Sequence, residues 1–309
     1  MMVTAVQLAC GLALDLVIGD PRWLPHPIVG VGNFASMVER IARRTGMPLR
    51  LAGVAAWCAV VGIATAIVLA TVQFLPEPYV QIYWIYSFLA LRSLDQHAMA
   101  VIAPLRAGDL QVAREAVGRI VGRDTALLDE REIARATVET AAENLSDGVI
   151  APLLWLLVGG PAGMAAYKAI NTLDSMWGHK SERYLEFGWC AARADDLANW
   201  IPARVTAGLI WLIAAIWPDM SAARSVRSTL NDAHRQPSPN SGYPEAAAAG
   251  ALGVQLGGTN IYRGVVSHKA SLGEDLRPLG WQTYTPMRIL LYGSALLFAS
   301  AALGGLTWQ

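Results

Sequence analysis

The chain has 309 residues, 54% apolar and only 16% charged, against about 25% charged in an average soluble domain, so an ordinary cytosolic enzyme is excluded. Lys+Arg and Asp+Glu both number 24, and this neutrality lacks the positive excess that binding a phosphate backbone demands, so no nucleic-acid partner is expected. Cys10, Cys58 and Cys190 are far apart and form no Cys-x-x-Cys pair, which leaves them as packing residues.

A mean hydropathy of +0.36 is high for a soluble enzyme and low for a chain that is all membrane span, so a polar part must carry the chemistry. In chain order, residues 2–19 form a short apolar candidate span that carries Asp15. With no basic residue ahead of them they make a poor cleavable signal. Residues 51–75 and 289–308 contain no charge and meet the requirement of about 20 apolar residues for a crossing. Residues 79–91 are apolar but short, and span only if 74–78 turn tightly.

Basic residues in short loops stay cytoplasmic. Arg22, Arg40, Arg43, Arg44 and Arg50 separate the first two spans, whereas Pro76-Glu77-Pro78 has no basic residue. The arginine loop is therefore expected inside, with the helical region 92–148. Residues 149–167 are broken by Gly159-Gly160-Pro161, which favours a broken hairpin. Residues 205–217 and the Ala- and Gly-rich 246–262 read as close-packed buried helices. The expectation is a single-domain (residues 1–309), all-α, polytopic integral membrane protein with about four to six membrane-embedded helices and cytoplasmic helical loops.

Polar residues cluster in blocks, and ionisable groups beside membrane segments are functional candidates because burying them is costly. Gly19-Asp20-Pro21-Arg22 with Pro25-His26-Pro27 makes a rigid turn after the first apolar stretch. Arg123 precedes Glu139, Glu143 and Asp147, which recur every four residues. On a helix these three repel one another unless a cation sits there, which suggests Mg²⁺; the alternative is a solvated face paired with Arg131 and Arg135. Lys168, Asn171, Asp174 and Ser175 share a helical face, and a stop at Gly178 exposes His179, Lys180 and Arg183, cations suited to phosphate oxygens. Of Asp195 and Asp196, one is expected to face metal or substrate while the other caps or pairs with Arg204; Asn199 follows within a turn. Asn240 lies in a polar loop opening a helix in which Pro244 suits the first turn and Glu245 complements the dipole. The chain has neither a P-loop, nor a Gly-x-Ser-x-Gly elbow, nor His-Glu-x-x-His. The spacings point to metal-assisted phosphate chemistry at a membrane face.

The ordered blocks Glu139-Thr-x-Ala-Glu143-Asn144-x-x-Asp147-Gly148, Tyr167-Lys168-Ala-Ile-Asn171-Thr172-Leu-Asp174-Ser175-Met-x-Gly178-His179-Lys180, Asp195-Asp196-x-x-Asn199-x-Ile-Pro202-Ala-Arg204 and Pro239-Asn240-Ser241-Gly242-x-Pro244-Glu245-Ala246 resemble the CobD/CbiB family of cobalamin biosynthesis over essentially the whole chain. The resemblance implies adenosylcobinamide-phosphate synthase activity. In that reaction adenosylcobyric acid is joined to (R)-1-aminopropan-2-ol or its O-phosphate with ATP and Mg²⁺, in the cytoplasmic membrane and with the active site on the cytoplasmic face. Glu139, Glu143, Asp147, Asp195 and Asp196 would hold Mg²⁺. Arg123, Lys168, Lys180 and Arg183 would contact ATP or the aminopropanol phosphate, with Asp174 and Arg204 also lining the substrate site. Asn144, Asn171, Asn199 and Asn240 would orient substrates, and His179 or Glu245 would be the base. Membrane lipid and other nucleotide-loop assembly enzymes are the partners implied.

Three other readings compete. An intramembrane Mg-diphosphate prenyltransferase has Asn144-x-x-Asp147 and Asp195-Asp196-x-x-Asn199 in its favour but lacks fuller Asp-x-x-x-Asp sets. A non-catalytic membrane regulator of the same fold could shed Glu139, Lys168, Asp174 and Asp195, all present here. A transporter could use broken segments such as 149–167 but lacks an inverted repeat.

Overall fold

The structure is a computed structural model that describes residues 3–21, 23–262 and 264–307; Met2, Arg22 and Trp308, used above, lie outside them. In chain order the helices are α1 (Ala5–Ile18), α2 (Pro27–Ala42), α3 (Leu49–Phe74), α4 (Tyr79–Phe88), α5 (Leu91–Arg106), α6 (Leu110–Val117) and α7 (Glu130–Leu145). A π turn (Ser146–Ile150) leads into α8 (Ala151–Trp177), α9 (Trp189–Ala198), α10 (Trp200–Ile216), α11 (Ala222–Asp232) and α12 (Gly242–Leu252). Strands β1 (Leu256–Tyr262) and β2 (Val265–Leu272) precede α13 (Tyr284–Thr307).

Among the described residues three helical stretches are long and apolar enough to cross a membrane by length and composition, Leu49–Phe74, Glu130–Trp177 and Trp281–Thr307, and α9 with α10 make a fourth only as a pair. The protein is a polytopic, predominantly α-helical membrane protein, as the sequence led one to expect, with three or four such stretches among the described residues. Helices α1 and α4, of 14 and 10 residues, fall short of the hydrocarbon thickness, as the short apolar stretches 2–19 and 79–91 suggested. Thr4 starts α1 with a reciprocal capping box to Gln7, so its length is fixed by a defined first turn.

The chain divides into two compact units, each assembled from separated stretches. The first contains α1 to α4, α8 and α9. Small residues of α2 and α3 (Ala35, Ala52, Ala56) pack with Leu173, Trp177 and Phe187, and the Trp177 and Phe187 rings meet edge to face at 5.1 Å. Within α8, Gly159 and Gly160 leave helical geometry before Pro161. A Cβ on Gly163 would stand 2.6 Å from the carbonyl oxygen of Trp155. Eight residues of straight helix cover about 12 Å, so the chain turns back on itself here. Ala151 and Tyr167 consequently share one packed cluster with Ala198, and the expected broken hairpin is what forms.

The second unit contains α5 to α7, α10 to α12, the hairpin and most of α13. The Ala-rich α12 is buried along its whole length. Residues 246–262 were expected to be one helix, but helix ends at Leu252 and Gly253, at φ 69°, turns the chain into β1. Gly257, at φ 79°, forms a bulge where a Cβ would lie 2.1 Å from the Ala270 carbonyl oxygen. Only glycine fits, and the residues that dilute the helix signal are those the hairpin requires. Buried Asp95 on α5 accepts hydrogen bonds from Tyr284 (3.1 Å), Tyr292 (2.9 Å) and Arg288 (3.0 Å), which fastens α13 to α5.

Candidate active site

In the second unit the acidic stripe of α7 folds against β1 and α12. Glu139, 4% exposed, takes Arg135 one turn before it at 3.1 Å, Arg123 from the preceding loop, and the backbone N–H of Gly257 at 2.8 Å. Both arginines also bind the Asn260 side-chain oxygen, and Arg135 reaches the carbonyls of Gly257 and Thr259. Two guanidinium groups thus meet the charge for which a metal was expected. Arg131 is not part of this pairing; it bonds Asp275 at 2.6 Å. The face is buried, so the solvated reading of the stripe does not describe it.

Glu143 and Asp147 are half-buried. Asp147 sits in the π turn Ser146–Ile150, whose wider winding breaks the strict four-residue phase of the stripe. Glu245, in the first turn of α12, is 2% exposed. Burial, with negative Glu143 and Glu139 nearby, pushes its carboxyl well above the ordinary carboxylate range, although Lys269 and Arg123 act the other way. Burial acts to lower the Lys269 ammonium, but Glu245, Glu143, Tyr262 and Glu139 outweigh it and raise it. Asn144 donates to the carbonyl of Thr140 one turn back at 3.0 Å. Arg204 stacks on Trp200 and Tyr243 and donates to Asn240 at 3.3 Å.

In the first unit, α8 and α9 bring a second polar set together. The Tyr167 hydroxyl donates to Asn199 at 2.9 Å, and Asn171 donates to Asp195 at 3.2 Å. Lys168 lies within electrostatic range of Asp195. Asp196 pairs with Arg193 at 3.4 Å, a partner the sequence did not single out. Asp174 stands close to Gly178, where α8 ends, and the exposed His179, Lys180 and Arg183 follow. Arg183 donates to Glu39 of α2 at 3.0 Å, and Arg43 joins it at 2.8 Å. Burial acts to raise the Glu39 carboxyl, but these bonds hold it below its ordinary value. The cation expected to meet phosphate therefore also clamps its own loop to α2.

Among the described residues no group of three or more His, Cys, Asp or Glu side chains has metal-holding geometry. Sequence reasoning missed Asn260, Lys269 and Glu39. For the first two, the Gly257-Gly258 pair followed by Thr259, Ile261, Tyr262 and then Val265-Val266 was the available signal for strands. Glu39 gave no signal beyond Arg43 at helical spacing.

The profile of the CobD/Cbib protein family matches residues 8–289. A protein of Pelobacter propionicus described as "Cobalamin biosynthesis protein CobD" is 45% identical over 96% of this chain and 93% of its own length. Proteins with the same description from Geobacter metallireducens and Klebsiella pneumoniae are 48% identical over 94% of this chain and 92% of theirs, and 41% identical over 93% and 92%. No solved structure matches. A family profile and relatives that each cover nearly the whole chain leave one conclusion: this protein belongs to the CobD/CbiB family.

Proposed function

We propose that this chain acts in cobalamin biosynthesis as an ATP-dependent acid–amine ligase of the cytoplasmic membrane, working on the cytoplasmic side. It joins the free carboxylate of adenosylcobyric acid to (R)-1-aminopropan-2-ol or its O-phosphate. The observation that carries this reading is the match of the CobD/CbiB profile and of relatives over nearly the whole chain, and Glu245, buried in the first turn of α12 with Glu143 and Lys269 acting on it, offers a group for the proton transfer. Family membership supports the pathway.

A carboxylate resists amine attack, so the reaction first transfers the terminal phosphoryl group of ATP to a carboxylate oxygen, releasing ADP. The amine nitrogen then attacks the acyl carbon, the C–O bond to phosphate breaks, and inorganic phosphate leaves as the nitrogen gives up a proton. Lys168 and Lys180, as compact cations, bind the phosphoryl oxygens and offset charge during transfer. Asn171 and Tyr167 fix Asp195 and Asn199 in their orientation. Glu143 lies close enough to Glu245 to oppose its ionisation, so Glu245 holds its proton more tightly than a lone glutamate would. Glu143, half-buried, is the member open to the amine, and Glu245 stores the proton. This gives Glu245, rather than exposed His179, the part of base.

Mg²⁺ fits this donor set as an ion arriving with ATP, because nucleotide-borne Mg²⁺ needs only one or two protein carboxylates and Glu139 is already bound by arginines. Asp195 would hold it, since Asp196 is paired with Arg193, and it would neutralise phosphate charge. The test is detergent-purified protein with adenosylcobyric acid, each amine, ATP and Mg²⁺, following ADP release and corrinoid mass together. The expected result is a corrinoid heavier by one condensed amine, formed only with ATP. Folded protein that leaves the mass unchanged with either amine overturns the reading.

A further inference from the structure

The Pro-rich block after α1 has no part in the reaction as described, yet it lines a cleft of about 990 Å³ in the first unit. Asp20 and His26 stand at its wall 3.4 Å apart. His26 is fixed on both sides, since its other ring nitrogen accepts the Ile28 N–H at 3.2 Å and starts α2. The opposite chemistry comes from α4, whose Tyr83, Trp84 and Phe88 also line the cleft. These rings form a rigid row: Trp84 stacks on Phe88 at 5.3 Å, meets Tyr83 edge-on at 5.2 Å and donates to Thr71 at 2.9 Å. Lys168 is the one lysine among the described lining residues, and it belongs to the helix that also carries Asn171, the partner of Asp195.

This lining discriminates among the three substrates of the ligase reading. Three phosphates demand several cations, and one ammonium against one carboxylate does not supply them. A volume at the upper end of the usual ligand range, about 300–1,000 Å³, is far more than an aminopropanol phosphate fills. Aromatic and prolyl walls with a single anion-binding group at one point suit a broad macrocycle with an apolar face and acidic or amide side arms. Resting on the function proposed above, we infer that this cleft holds the corrinoid, with its macrocycle against the Tyr83–Trp84–Phe88 row and its reacting carboxylate directed to Lys168.

Gly30 lines the cleft, and a Cβ added there meets nothing within 4 Å. Gly30→Trp therefore adds bulk at the wall of the cleft from a position whose Cβ meets no neighbour. Gly62, equally open but outside the lining, supplies the control Gly62→Trp. Binding of dicyanocobyric acid to detergent-purified protein, followed by its visible absorption and by tryptophan quenching, is expected to weaken at least tenfold in Gly30→Trp and to stay within twofold in Gly62→Trp, with unchanged melting temperatures. The KM for ATP should stay within twofold in both. Unchanged corrinoid affinity in Gly30→Trp, or no corrinoid binding by the unaltered protein, overturns the assignment. The binding readout needs no turnover: corrinoid bound in the cleft without amide formation supports the cleft and sinks the ligase reading, whereas turnover with unaffected binding in Gly30→Trp does the reverse.

Discussion

Glu39 in the first unit and Glu139 in the second are built alike, and their difference is instructive. Each is a nearly buried carboxylate held by one arginine a helical turn away and a second from a distant segment: Arg43 and Arg183 for Glu39, Arg135 and Arg123 for Glu139. The arginine side chains of the first cluster are 23% and 66% exposed, those of the second 9% and 6%. Water screens the first clamp, which ties down the loop bearing His179 and Lys180. The second is dry and fixes the β hairpin that carries Asn260 and Lys269. One pattern thus serves as a yielding tether in one unit and a rigid latch in the other.

Breaking the dry latch should have the largest effect on stability. Glu139→Ala leaves two buried guanidinium groups without their carboxylate and should cost about 3–5 kcal/mol, read as a fall in melting temperature with faster amide exchange across β1 and β2. An unchanged melting temperature would remove the distinction between the two clusters. Glu245→Gln tests chemistry against stability in the same unit. A carboxyl whose folded-state pKa is raised weakens the fold as pH climbs above its ordinary value near 4.5 towards the raised one. Its replacement should therefore raise the neutral-pH melting temperature while kcat drops about 100-fold or more.

Lys269→Met sharpens the same point through pH. The ammonium holds the Glu245 pKa down, so without it the pKa rises, and the acid limb of kcat against pH should move to higher pH; movement to lower pH would contradict the placement of Lys269. In the wet cluster, Glu39→Gln should cost only about 1 kcal/mol. Because the folded Glu39 pKa is depressed below about 4.5, that contribution is present above this value and disappears as pH falls through the lowered one, so the two proteins should converge in stability in acid. Smallest of all is Arg131→Ala. Both side chains of its pair with Asp275 are about half exposed, and a shift above about 0.5 kcal/mol would be surprising for such a pair.

Much of the molecule was legible before any coordinates. Uncharged runs announced α3 and α13, and Gly159-Gly160-Pro161 announced the turn within α8, because glycine and proline act on the backbone locally. The polar blocks were legible too, with Asn171 and Asp195 meeting across α8 and α9. What escaped were partners whose choice depends on position in space. Arg193 pairs with Asp196, and Arg123 rather than Arg131 joins Arg135 on Glu139. Two arginines of equal charge are indistinguishable in sequence, and the three-dimensional path of the backbone alone selects between them.

The sequence by itself determined that this is a helical membrane protein of the CobD/CbiB family, since hydropathy, helix breakers and ordered motifs are properties of neighbouring residues. Only tertiary structure decided that 253–272 turns into a hairpin, that the carboxylate of Glu139 is met by arginines, and that Glu245 lies beside Glu143 and Lys269. Those outcomes depend on desolvation and on charges distant along the chain, and both exist only once the chain has folded.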